Sequence, residues 1–360
     1  MRRIENWRNV LVVLTLATLV LVAVGCGVKS SQTTSTPSEA PQTATKLKVG
    51  YSAGGGSLLS FIAQDQGLFE KEGLDVELIP FTSSADGLNA LNTGKIDVGI
   101  SFGTGGPLTF ISKGADFVII GGHLSGGHPI IALPEKAGQF KSIQDFRGKT
   151  IATPRLYTSD VVWRGALVKA GFDLSKDVNI IEMKNPQAVL EAVKSGKVDA
   201  GIGASSIYLK SKESGLAIVG WSNDLFPNHP CCRVVARGKD VKANPETYRA
   251  FLRALIQAEK IKQDDPELAV DVNKRFLKID DKLARDFTLE PHQIINVDPN
   301  RKGVVQMWKQ MNDIGYIKSD LDINQHINTD LYKQALEQLA KQNASDEFYK
   351  ELKQRFDKQN

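Results

Sequence analysis

Cysteine is scarce in this chain, three in 360 residues. That is too few for a disulfide framework, so stability has to come from burying apolar surface. Neither sign of charge predominates: 45 Lys and Arg stand against 41 Asp and Glu, a net charge of +4. An electrostatic nucleic-acid binder needs a clustered basic surface to displace counterions from phosphates, so no nucleic-acid partner is expected. Long hydrophobic runs are also missing, since the apolar stretch at residues 10–24 is short for a bilayer span. What is present is a hydrophobic fraction of 41%, enough for a packed core and too high for a disordered chain. One large or two medium domains follow from the length.

The beginning of the sequence reads as an export signal. Arg2, Arg3 and Arg8 form a basic segment ahead of the apolar run, and Ala23-Val24-Gly25 places small residues directly before Cys26. This arrangement resembles the lipobox of bacterial lipoproteins, with Ala23 where Leu is most frequent. The resemblance implies a signal peptide over residues 1–25, lipidation of Cys26, and a lipid-held membrane anchor. The alternative is an uncleaved N-terminal anchor. Residues 26–45 are Ser, Thr, Gln, Pro and Ala with little apolar content, so they cannot repay ordering entropy and read as a flexible tether. A tethered domain working outside the cytoplasmic membrane, close to its surface, disfavours chemistry that draws on ATP or NAD.

From Leu47 onward, strand-like and helix-like segments alternate. Leu47-Lys48-Val49-Gly50-Tyr51 reads as a strand, residues 57–66 as a helix and 74–80 as a second strand. Such alternation predicts a mostly parallel sheet covered by helices, with ligands at the carboxyl ends of the strands. The most informative feature is an internal repeat. Residues 75–104 superpose on 177–206 without a gap, at an offset of 102 and with ten identities, among them Asp97/Asp199 and Gly94/Gly196. Each copy reads as strand, helix, a tight turn at glycine and a second strand ending in a small polar loop. Two lobes built alike, each offering such a loop, imply a cleft between them; two similar units of one sheet would share the same composition.

Four segments carry a family resemblance. Gly50-Tyr51-Ser52 with its Gly-rich loop, residues 67–76 (Gly-Leu-Phe-Glu-Lys-Glu-Gly-Leu-Asp-Val) and Gly94-Lys95-Ile96-Asp97-Val98-Gly99 resemble the NMT1/THI5-like branch of substrate-binding proteins. Asp145-Phe146-Arg147-Gly148-Lys149-Thr150-Ile151-Ala152 is similar to a recurrent segment of the same family. The resemblance implies an α/β type II periplasmic-binding-protein fold, two Rossmann-like lobes joined by two crossing strands. It also implies service to an ABC importer of nitrate, sulfonates, taurine, bicarbonate or thiamine-related pyrimidines. On that frame the crossings are expected at residues 128–133 and 232–236. Lobe I would then span 46–131 and a helical 236–343, lobe II 132–235, and a highly charged C-terminal tail 344–360, read as a frayed or solvated terminal helix.

Solute capture without catalysis needs backbone N–H groups, small hydroxyls and a few aromatics that define shape. Tyr51 and Ser52, with Gly55 and Ser57 in the following loop, meet this at the end of the first strand. The loop lacks the Gly-Lys-Ser/Thr ending of a phosphate cradle, which removes nucleotide binding; a plain flexible turn is the other reading. Ser101, Phe102, Gly103 and Thr104 follow the first repeat, and Ser205 and Ser206 the second. In lobe II, Thr153, Tyr157, Thr158 and Ser159 precede a helix expected over 160–169. Thr158 or Ser159 can cap that helix, and its dipole can stabilise an anion. Arg155 can reinforce an anion or sit solvated.

His128 and the run Asn228-His229-Pro230-Cys231-Cys232 stand near the expected crossings, so His128, His229 and Cys231 join the candidates, with Cys232 beside them. Their spacing matches no zinc finger or zinc triad, and two reduced, buried thiols are expected. In pyrimidine-synthesising relatives a Cys-rich run binds iron, and this sequence has only the pair. The expectation is a monomeric, non-enzymatic receptor without cofactor or metal, which closes on a small-molecule solute and delivers it to ABC permease subunits. Uptake of a thiamine-precursor pyrimidine is the alternative within that class, and a pyrimidine-synthase-like enzyme the alternative outside it.

Overall fold

The computed structural model describes residues 44–52 and 57–360. The expected signal peptide, Cys26, the tether up to residue 43 and Gly55 lie outside the described residues. Thr43–Asn360 forms one compact unit. It contains two sheets built from eleven strands: β1 (Thr45–Ser52), β2 (Leu74–Phe81), β3 (Val98–Gly99), β4 (Phe117–Gly126), β5 (Pro129–Ala132), β6 (Thr150–Pro154), β7 (Asn179–Met183), β8 (Ala200–Ile202), β9 (Ala217–Trp221), β10 (Pro230–Arg237) and β11 (Gln293–Ile295). The first sheet has the order β11-β4-β10-β3-β1-β2 and the second β7-β6-β8-β5-β9.

The repeat is a repeat of structure. In the first copy β1 lies parallel to β2 and β3, with the Ser84–Asn92 helix between the latter two in sequence. In the second, β6 lies parallel to β7 and β8, with the Pro186–Lys194 helix in the same place. A single side chain fixes the register identically in both. The Lys48 N–H donates to Asp97 Oδ2 at 2.9 Å, and the Thr150 N–H to Asp199 Oδ2 at 3.0 Å. Gly94 and Gly196 end the two helices with φ of +75° and +70°, left-handed geometry that costs glycine little.

Both sheets are covered on both faces, so their strands read as nearly continuous apolar runs in place of strict alternation. On β10, Val234 and Ala236 face one core together with the Leu58–Asp65 and Pro245–Asp264 helices. Val235 faces another, with Phe102, Leu108 and Met307. In the second sheet Ile130 and Ala132 share a core with Trp163, while Ile131 packs on the opposite side with Val189.

Two expected boundaries shift. β5 pairs wholly with β8 and β9, so the chain enters the second sheet between Gly126 and Pro129 and not at 131/132. β10 pairs wholly with β3 and β4, so the return falls between Trp221 and Pro230. Apolar strands flank both exchanges, and periodicity could not say which sheet each would join. The expected C-terminal helix forms but is neither frayed nor solvated. Glu347–Gln359 is a helix that buries Phe348, Tyr349 and Leu352 in the first lobe's core. Arg355 pairs with the buried carboxylate of Glu259 at 2.6 Å.

Candidate functional site

The carboxyl ends of β1 and β3 and the loops after β6 and β8 converge on one crevice. Its outer part is a cleft of about 620 Å³. Tyr51, Ser52 and Thr82 line it from the first sheet, Asn185, Gln187 and Ser206 from the second. Phe276, Leu277, Ile279 and Leu283 supply an apolar wall from the later helical region, which sequence reasoning read as packing around lobe I. Ser52, Tyr157 and Ser206 also border a much smaller inner cavity of about 20 Å³, room for roughly one water. Ser101, Gly103, His128, Thr158, Ala204 and Ser205 complete much of its lining, and Cys231 and Cys232 the rest.

Hydroxyls hold the inner loops in register. Ser101 Oγ accepts from the Ser52 N–H at 2.8 Å and lies 3.0 Å from Ser57 Oγ. Thr158 Oγ1 donates to the Cys231 carbonyl at 2.8 Å and accepts from the Thr104 N–H at 2.8 Å. Thr104 Oγ1 donates to the same carbonyl at 3.1 Å. One carbonyl on β10 therefore ties together loops belonging to both sheets.

Several expected positions take other roles. Phe102 is buried in the core, filling the space left by Gly50, Gly87 and Gly99, so only its backbone neighbours reach the crevice. Thr158 does not cap the following helix, Thr158–Lys169, which starts at Tyr157 without a side-chain cap. Thr153 and Ser159 are fully buried and outside the lining of either cavity. Ser57 and Thr104 act through the hydrogen bonds just described. Arg155 does not face a solute: its guanidinium pairs with Glu182 at 2.6 Å and lies over the Tyr316 ring. Tyr157 spans both cavities, and its hydroxyl accepts from the Ser84 N–H at 3.3 Å. The apolar wall at 276–283 gave no signal in sequence, because its residues are ordinary core types at helical spacing.

A chain of rings stands behind the inner cavity. His229 Nδ1 is 2.6 Å from the Phe226 carbonyl, which can only accept, so that nitrogen carries the proton and Nε2 is bare. His128 Nδ1, 3.2 Å away, donates to it, leaving His128 Nε2 as an acceptor 3.0 Å from Cys231 Sγ. Burial holds both rings neutral, pushing His229 down to about 4 and His128 well below its usual value. No group of three or more His, Cys, Asp or Glu among the described residues is arranged to hold a metal ion. No helix among the described residues is long and apolar enough to cross a membrane.

Two α/β halves with matching strand order, joined by two exchanges of the chain and opening a cleft between their strand ends, define the periplasmic-binding-protein architecture. Solved structures with this fold include the E. coli periplasmic aliphatic sulphonate binding protein SsuA, with a TM-score of 0.67, 20% identity, and coverage of 80% of this chain and 99% of that one. The periplasmic nitrate-binding protein NrtA of Synechocystis PCC 6803 aligns with a TM-score of 0.70 at 17% identity, covering 82% of this chain and 89% of that one. A Brucella abortus (strain 2308) protein designated a binding protein is 31% identical over 300 residues, 79% of this chain and 91% of its own length. The NMT1/THI5-like family profile matches residues 57–269. The chain belongs to that family.

Proposed function

We propose that this protein is the extracytoplasmic solute-binding component of an ABC importer, a two-lobed receptor that captures a small organic solute and presents it to permease subunits. The observation that carries the reading is the cleft itself, lined from both sheets by hydroxyl, amide and aromatic groups. A solute bridging Ser52 and Thr82 on one side and Tyr157, Asn185 and Ser206 on the other stabilises the closed form by its differential contacts. The size and the Phe276, Leu277, Ile279 and Leu283 wall suit a solute with an apolar or aromatic body and a polar head. A bare inorganic oxyanion fills little of about 620 Å³. No Lys or Arg lines the inner cavity, so a negatively charged head would rely on neutral donors there and on Lys210 at the cleft wall. Sulfonates and pyrimidines with an organic body therefore stand ahead of nitrate and bicarbonate.

A thermal-shift screen across sulfonates, nitrate, bicarbonate, aromatic acids and pyrimidines tests this. A ligand present at a hundredfold excess over its Kd adds about 2.7 kcal/mol and raises the Tm visibly. The shift should vanish in Phe276→Ala and Ser206→Trp, and an identical shift in both variants would place binding elsewhere. Members of the family that synthesise pyrimidines make turnover the decisive contrary result: purified protein converting any of these compounds would overturn the receptor reading. Anchoring through Cys26 lipid is part of the proposal. Cys26→Ala should move the protein into the soluble fraction, and continued membrane retention would contradict the anchor.

A further inference from the structure

Cys231 and Cys232 are neighbours on β10, where a regular strand turns successive side chains to opposite faces. Here the pairing slips. Pro230 faces Ser125, Cys232 faces Leu124 and Arg233 faces Gly122, with irregularities on both sides of Cys232. The resulting bulge cancels the alternation and brings the two Sγ atoms to 3.3 Å. Both thiols are free, and both line the inner cavity beneath the solute cleft. Both are buried around a cavity that holds roughly one water. We propose that Cys231 and Cys232 form a redox-active dithiol in the wall of the cleft, reached when the crevice opens and closed reversibly to a disulfide by exchange with low-molecular-weight disulfides, and that closure alters solute capture.

The surroundings assign the two thiols different tasks. The Cys231 thiol, against the opposing effect of burial and with help from the Gly103 backbone and the buried Arg233 guanidinium, draws the Cys232 thiol below its usual value and favours its thiolate. Burial pushes the Cys231 thiol up, and its Sγ faces the bare Nε2 of His128. The Cys232 thiolate therefore attacks one sulfur of the oxidant RSSR, forming Cys232–S–S–R and releasing RS⁻, which takes up the proton that Cys232 gave to solvent. Cys231 then attacks the Cys232 sulfur, its proton passing to the departing sulfur of the mixed disulfide, which leaves as the second RSH. The protein loses two electrons and two hydrogens, and RSSR becomes two RSH.

Adjacent Cα atoms lie about 3.8 Å apart, below the usual disulfide span of about 4.4 Å and more, so the ring is strained and readily reduced. Strain has a direct outlet. The Cys231 carbonyl is the shared acceptor of Thr104 Oγ1 and Thr158 Oγ1, so re-aiming it on ring closure loosens the link between loops of the two sheets. The dithiol chemistry stands independently of any solute; its effect on capture rests on the receptor reading above.

Full-length protein is treated with glutathione disulfide, alkylated, digested, and the peptide carrying both cysteines weighed, which keeps Cys26 out of the measurement. The expected peptide is 2 Da lighter than its reduced form, carries no alkyl groups, and recovers both after dithiothreitol. Cys231→Ser should trap glutathione on Cys232, whereas Cys232→Ser should react at least about tenfold more slowly. Persistence of two alkylatable thiols in folded wild type, when both react in denatured protein, overturns the proposal. Phenylarsine oxide, a bridging dithiol reagent, should bind wild type and neither variant; binding to a single-thiol variant also overturns it, and this arm needs only folded wild type for its positive result. For a compound found by the thermal-shift screen, oxidised and reduced protein should differ in Kd by about tenfold or more, about 1.4 kcal/mol. Equal affinities overturn the coupling to capture, while failure of every cleft ligand in the screen strikes the receptor reading and leaves the mass measurements to judge the dithiol.

Discussion

Three buried histidines make the stability of this protein sensitive to mild acid. His123, His128 and His229 are all within 2% of complete burial. Burial, with Arg233 adding to it, holds His123 down to about 3; burial likewise holds His229 down to about 4, and His128 lies well below its usual value. In the unfolded chain each titrates near 6.5. Above that value both states are neutral and the rings contribute no pH dependence. As pH falls below it, the unfolded chain takes up protons that the native state refuses, so stability declines. At pH 5 His123 and His229 each cost about 2 kcal/mol, because their native forms are still neutral there and only the unfolded pKa sets the amount. Together they cost about 4 kcal/mol, a large share of a typical folding free energy, and His128 acts in the same direction. His123 isolates the effect, since neither of its ring nitrogens has a hydrogen-bond partner. His123→Leu should be neutral or stabilising at pH 7, where it removes unsatisfied polar atoms. It should also flatten the decline by about 2 kcal/mol between pH 7 and pH 5. Urea unfolding of both proteins at pH 7, 6 and 5 measures this. Buried Asp160 and Asp298, whose carboxyls burial pushes up, act equally in both proteins and cancel in the difference. A variant that tracks the wild-type curve at every pH would refute the reasoning.

Further outcomes rest on packing. A Cβ at Gly87 would meet the Phe102 ring at 2.2 Å, whereas nothing lies within 4 Å of one at Gly138. Gly87→Ala should lower stability by about 1–3 kcal/mol in urea titration and Gly138→Ala should not; equal behaviour would mean that the Phe102 ring yields freely. Arg355→Met leaves the Glu259 carboxylate buried without its ion pair, a loss of about 3–5 kcal/mol that Glu259→Gln should largely restore in the double variant. Additive losses would show that the pair is not coupled. Deleting residues 344–360 removes Phe348, Tyr349 and Leu352 from the core, each worth about 1.5–3 kcal/mol, and should lower the Tm sharply; an unchanged Tm would return the segment to a dispensable tail.

Much of the scaffold was legible because the repeated unit carries its own punctuation. Gly94 and Gly196 stop helices where only glycine turns without cost, and Asp97 and Asp199 recur because each accepts from a backbone N–H of the neighbouring parallel strand, Lys48 in β1 and Thr150 in β6. The offset found in sequence is the offset between the two helices in the fold. The crevice was legible only in part. The end of β1 and the loops after β3, β6 and β8 meet at the crevice because strand ends converge in such sheets. Orientation within them was not: Phe102 follows a strand like its neighbours, yet three glycines open a core slot that its ring fills. The wall at Phe276–Leu283 was hidden because it comes from helices distant in sequence, and the bulge that pairs the two sulfurs was hidden because the sequence reads as an unbroken strand.

The way the chain leaves and rejoins the first sheet carries a consequence for engineering. Ser125 and Pro230 are cross-strand partners on β4 and β10, so the entire second sheet is an insertion whose entry and exit points touch. Excising residues 127–229 and bridging the gap with a short turn would convert the two strands into an ordinary hairpin, leaving a minimal single-sheet protein that keeps the core around Phe251 but loses Val161 and Val162 from the one around Phe102. The excised piece, opening with β5 and closing after β9 on adjacent strands of one sheet, offers a natural cassette for transfer into another host.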